Sequence, residues 1–70
     1  MFKIDMELIN TLVKGNKVLV SWYSKDGTLI EKRCTFHSVD GIYILVKPPR
    51  IRKRAWEIKT DSETKIERTK

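Results

Sequence analysis

The chain has 70 residues, of which 40% are hydrophobic; this supplies one modest core and excludes both a second domain and a polymer too polar to collapse. Its 15 Lys and Arg against nine Asp and Glu leave a net charge of +6, a balance that favours polyanionic partners and carries no information about fold. One cysteine and one histidine exclude an intramolecular disulfide and a four-ligand Cys/His zinc site, so stability has to come from the core, from self-association or from docking on a partner.

Over residues 5–14 and the residue before them, Ile4, Leu8, Ile9, Leu12 and Val13 fall at helical spacing. Asp5 suits the N-cap, Glu7 the first turn and Lys14 the last, and Gly15-Asn16 supplies a left-handed exit. A short helix is predicted here; ten residues are too few to be helical alone in water, so its stripe must pack on the rest of the chain. The first residues, Met1-Phe2-Lys3-Ile4-Asp5, lack the apolar run of a signal peptide. No stretch approaches the roughly 18 apolar residues of a membrane-spanning helix. A cytoplasmic protein without membrane contact is expected.

From Lys17 the period changes to two. Val18, Val20 and Trp22 alternate with Leu19, Ser21 and Tyr23 in a β-branched, aromatic run that suits a half-buried strand. Asp26-Gly27 then signals a hairpin in which both residues take positive φ. The second strand runs over 28–39, with Ile30, Cys34 and Phe36 inward and Glu31, Arg33, Thr35 and His37 outward. Its length predicts a bend that lets it serve two sheets. Asp40-Gly41 is a second turn, and the uncharged run over 42–46 reads as a central strand. Pro48-Pro49 ends that ladder because neither residue has an N–H to donate.

Residues 50–59 read as a basic loop followed by a short last strand, with Ile51, Ala55, Trp56 and Ile58 interspersed among basic residues. Residues 60–70, with Ile66 as their single apolar side chain, read as a flexible or weakly helical tail. The predicted fold class is therefore mainly β: a small barrel of four to five strongly bent antiparallel strands with a short N-terminal helix, spanning 1–59 as one domain.

The helix, Val18-Leu19-Val20-Ser21-Trp22, the Asp26-Gly27 hairpin and Ser38-Val39-Asp40 before a buried third strand together resemble the SH3-like, Tudor and LSm small β-barrels over residues 8–58. The resemblance lies at the level of the fold. It implies a module of the kind that commonly binds nucleic acids or protein tails.

Charge is concentrated. Lys47, Arg50, Arg52, Lys53, Arg54 and Lys59 against Glu57 give residues 47–59 a net +5, whereas residues 1–46 carry +1 and residues 60–70 are neutral. Such a cluster beside Trp56, with Tyr43 on a neighbouring strand, suits phosphate contacts by cations and stacking of bases on rings. Arg33 and His37 extend the same surface. The bland alternative gives a solvated basic loop, and tryptophans that fill the core of a chain with six aromatics.

His37 has no triad partner at a suitable spacing and reads as a solvent-facing strand residue. Cys34, on the inward side of its strand, reads as a small hydrophobe. Three glycines are too few for a phosphate-binding loop, and no paired carboxylates or metal-spaced cluster are present. The sequence thus predicts a non-enzyme without metal or cofactor, a binding module for DNA or RNA. The alternative is a protein-interaction module, for instance a phage or mobile-element regulator docking on an acidic surface of a larger host complex. The helix stripe also offers a surface for a homodimer.

Overall fold

The computed structural model describes residues 2–49 and 54–69. Helix α1 (Met6–Thr11) is followed by strands β1 (Lys17–Tyr23), β2 (Leu29–Asp40), β3 (Tyr43–Lys47), β4 (Trp56–Lys59) and β5 (Lys65–Arg68). All five strands form one antiparallel sheet in the order β4-β3-β2-β1-β5. The mainly β class with one short helix is as the sequence predicts.

Local chemistry explains the short helix. The Asp5 carboxylate accepts the Glu7 and Leu8 N–H groups at 3.0 and 3.3 Å, a true N-cap. At the other end the Thr11 hydroxyl donates to the Leu8 carbonyl at 2.7 Å and the Asn16 side chain accepts the Val13 N–H at 2.9 Å. These side chains satisfy groups that another helical turn would have used, so Leu12 is already extended and the helix stops three residues before Lys14. Of the predicted stripe, Ile9 and Leu12 enter the core, while Val13 is 63% exposed.

Both predicted hairpin turns form, each with only its glycine at positive φ. At the first, the Gly27 N–H donates to the Ser24 carbonyl at 3.0 Å and Gly27 has φ +87°. This is a three-residue loop ending in a left-handed glycine, and Asp26 contributes through its side chain rather than through positive φ. At the second, Asp40 pairs with Tyr43 across a two-residue loop opened by Gly41 at φ +60°.

In β2, Phe36 pairs with Val46 and Ser38 with Leu45, leaving His37 as the extra residue of a bulge. The bulge reverses the facing of the strand: Cys34 and Phe36 point to the core before it, and Val39 takes that side, opposite Ile44, after it. The predicted bend is therefore present, but both halves of β2 remain in one sheet.

The core comprises Ile9, Leu12, Val18, Val20, Cys34, Phe36, Ile44, Val46 and Ile66, with Ile4, Met6, Trp22, Trp56 and Ile58 packed against it. Trp22 on β1 and Trp56 on β4 meet edge to face at 6.3 Å. Their strands are three places apart in the sheet, roughly 14 Å if it were flat. Side chains from one face meet across that span only because the sheet is strongly curved.

The structure corrects two further expectations. The sheet does not close into a barrel: β4 pairs only with β3 and β5 only with β1 among the described residues, and tryptophan side chains meet beside the remaining gap. Nor is 60–70 a loose tail. Lys65–Arg68 pairs with Val18–Ser21 of β1, and Ile66, opposite Val20, is 3% exposed. One buried isoleucine and four residues of backbone pairing suffice because β1 had an open edge to receive them.

Candidate functional site

The sheet has a core face and an outer face, and the register assigns each side chain to one of them. On the outer face Tyr43 stands opposite Lys59, and Leu45 opposite Glu57. Lys47 and Lys17 both pair with Thr35, forming one row across β3, β2 and β1. The Lys17 ammonium donates to the Thr35 hydroxyl at 3.3 Å. Arg33 lies on the same face, two residues along β2 and opposite Leu19. The structure thus gathers Arg33, Lys47 and Lys17 at one end of the outer face, and Tyr43 with Lys59 at the far end of β3. Lys17 is not among the residues the sequence singles out; the signal for it is a register across three strands, which spacing along the chain does not contain.

Trp56 is opposite Val46 and on the core face. It therefore does not share a surface with Tyr43, and the single stacking platform expected from sequence is divided between two faces. His37, in the bulge, is half-buried and its Nδ1 lies 2.8 Å from the Ser38 hydroxyl, so its ring is engaged locally. Arg54 is exposed just before β4. Arg50, Arg52 and Lys53 lie outside the described residues.

What sets these cations apart is local charge density, since Lys65 is the one described Lys or Arg with a carboxylate partner. Among the described residues the one ion pair joins Lys65 to Glu67 at 2.5 Å. Lys47, Arg54 and Lys59 are exposed and have no carboxylate partner among the described residues.

On the core side, β4, β1 and the turn that follows β4 line an open groove of about 380 Å³. Val20, Trp22, Trp56 and Ile58 give it an apolar lining; Glu57, Lys59, Ser62 and Thr64 add polar groups. The Ser62 hydroxyl donates to the Lys59 carbonyl at 2.8 Å and contacts the Thr64 hydroxyl at 3.1 Å, which fixes the turn between β4 and β5. Both tryptophans are half-buried. Sequence alone leaves them between core and binding roles, and they have a part of each: packed on the core on one side and bordering the groove on the other.

A third feature lies on the outer face of β1. Tyr23, 56% exposed, stacks on Phe2 with centroids 5.2 Å apart, and the Lys65 ammonium lies 5.8 Å over the Phe2 ring. Cys34 is buried, and burial pushes its thiol pKa up, the opposite of what a nucleophilic thiolate requires. Among the described residues there is no cluster of three His, Cys, Asp or Glu able to hold a metal ion, and no helix long and apolar enough to cross a membrane. No protein-family model, curated protein or solved structure matches the chain.

Proposed function

We propose that this protein is a small nucleic-acid-binding module that holds its ligand mainly by phosphate contacts from the basic segment 47–59. The observation that carries the reading is the concentration of charge, a net +5 within residues 47–59, where the described cations Lys47, Arg54 and Lys59 are exposed and, like every described cation but Lys65, have no carboxylate partner among the described residues. An exposed cation already matched to a carboxylate gains little from a phosphate, whereas a free one releases the phosphate's counterions on binding. Lys17 and Arg33 on the outer face add to the same positive region. The resemblance to SH3-like barrels belongs to this proposal, since such modules commonly bind nucleic acids or protein tails.

The test is fluorescence anisotropy with labelled single-stranded DNA, duplex DNA and RNA at two salt concentrations, using the wild type and a Lys47→Glu/Arg54→Glu/Lys59→Glu variant. Micromolar or tighter binding that weakens with salt and is lost in the variant is the expected result. Failure to bind all three nucleic acids at low salt would overturn the reading, and an acidic protein surface would then be the partner to seek by pull-down.

A further inference from the structure

The basic segment accounts for phosphates and leaves the groove lined by β4, β1 and the turn after β4 unused. Three of its properties point to one kind of occupant. First, Trp22 and Trp56 meet edge to face. That arrangement uses one face of one indole only, and both rings border the groove, so aromatic surface remains for a flat partner. Second, β4 pairs with β3 alone among the described residues. Half of the backbone N–H and C=O groups of such an edge strand point away from its neighbour, and the Ser62 and Thr64 hydroxyls lie on the same groove. Third, Lys59 borders the groove at one end of β4 and Arg54 precedes the other end by two residues, with Glu57 between them as the one acid on the groove.

A nucleobase has a π-face, a hydrogen-bonding edge and a phosphate linked to it on either side. Along β4 the groove offers a match to each. An aliphatic side chain would use the indoles and leave the polar edge and both cations unmatched; a cationic ligand would meet one carboxylate, Glu57, against Lys59, Arg54 and a net charge of +6. A base within a duplex has both faces covered by its neighbours and cannot enter.

We propose that the groove bordered by Trp22 and Trp56 receives one unpaired base of a nucleic-acid strand whose phosphates run past Lys59 and Arg54, so that the protein selects single strands over duplex. The proposal rests on the nucleic-acid reading above and adds to it the site, the contacting rings and the strandedness. Selection arises from stacking, which every base can provide, so little sequence preference accompanies it.

The experiment compares three probes on the full-length wild-type protein: an oligothymidine of about ten nucleotides, within the site sizes small single-strand binders occupy, an abasic phosphodiester strand of equal length, and a duplex. Binding is read by anisotropy and base insertion by quenching of intrinsic tryptophan fluorescence. The oligothymidine is expected to quench the tryptophans and to bind about tenfold or more tighter than the abasic strand, the stacking contribution of a base. The duplex is expected to bind through phosphates without quenching. A Trp56→Leu variant should bring the oligothymidine down to the abasic affinity while leaving the abasic affinity unchanged. The wild-type probe comparison decides the matter even if that variant fails to fold.

Equal affinity for oligothymidine and abasic strand without quenching would overturn the groove assignment and leave the phosphate reading standing. Duplex quenching equal to that of the single strand would overturn the selection. No binding by any probe would overturn both readings together.

Discussion

Strands β4 and β5 occupy the same position at opposite ends of the sheet. Each has four residues, and each is paired along one side only among the described residues. Their side chains are nevertheless divided in opposite ways. β5 buries Ile66 in the core, and its outward Lys65 and Glu67 neutralise each other. β4 leaves Trp56 and Ile58 half-buried beside an open groove, and its Lys59 has no carboxylate partner among the described residues. An edge strand is a liability unless covered or charged. The difference teaches that one small sheet uses one edge to complete its core and leaves the other bordering an open groove.

The sharpest way to break that comparison is to remove the apolar anchor of each edge. Ile66→Ala should cost about 2–5 kcal/mol, the usual range for truncating a fully buried isoleucine. Small domains have little more than about 5 kcal/mol in total, so the variant should be substantially unfolded at room temperature. Ile58→Ala removes a side chain already half in solvent and should cost about 1 kcal/mol. Urea titrations monitored by circular dichroism measure both. Equal losses, or a larger loss at Ile58, would mean that the two edges do not differ as their burial indicates.

The contrast between these isoleucines also shows how far the sequence could be read. β1 and β2 were legible because each carries its own alternation, β3 because it is an uncharged apolar run, and all three because an Asp-Gly turn bounds them; the N-cap at Asp5 was legible because capping is a local interaction. β5 was not. Ile66 is one apolar residue among eleven, and what makes it a strand residue is Val20 of β1, which lies 46 positions earlier in the chain. The basic segment was legible as composition. Its partition between faces was not, because Pro48-Pro49 interrupts the alternation and the pairing of Val46 with Trp56 is what settles the phase of β4 relative to β3. The same loss of phase concealed the groove, which exists only because the curved sheet brings Trp22 to Trp56.

Charge provides the next test of the two edges. In the Lys47→Glu/Arg54→Glu/Lys59→Glu variant, affinity for a single strand should fall at least about tenfold at low salt, and the slope of log K against log salt should shrink by about 0.7 for each phosphate no longer neutralised. The matching change at β5, Lys65→Ala with Glu67→Ala, removes a pair that is already neutral and should leave both affinity and slope nearly unchanged. Salt-dependent anisotropy on both variants distinguishes a basic β3–β4 region from a diffuse effect of net charge. Parallel losses would favour the latter.

The hairpin joining β1 to β2 provides smaller perturbations, on the β5 side of the sheet. Gly27 has φ +87°, and a Cβ added to it would meet no atom within 4 Å. Gly27→Ala therefore introduces backbone strain without a clash, and should cost about 1 kcal/mol, again measured by urea titration. Because Gly27 is neither a groove-lining residue nor one of the basic residues of 47–59, the variant should keep its affinity for nucleic acid once folded.

The smallest effect is expected at Asp26, and its signature is pH dependence. The Ser24 hydroxyl, then the Thr28 hydroxyl and N–H, hold its carboxyl pKa down to about 2 from an ordinary 3.8; the Thr28 N–H donates to it at 3.0 Å. A carboxyl whose pKa is lowered by folding stabilises the native state when ionised. That contribution is fully present above the unfolded value near 3.8 and is lost as pH falls through about 2. Asp26→Asn removes the titration, so wild type should exceed the variant in stability by a constant small margin at neutral pH, and the margin should close between about pH 4 and pH 2. Urea midpoints of the two proteins across that interval measure it. A margin that stays constant down to pH 2 would show that Asp26 acts through the shape of the turn rather than through its charge.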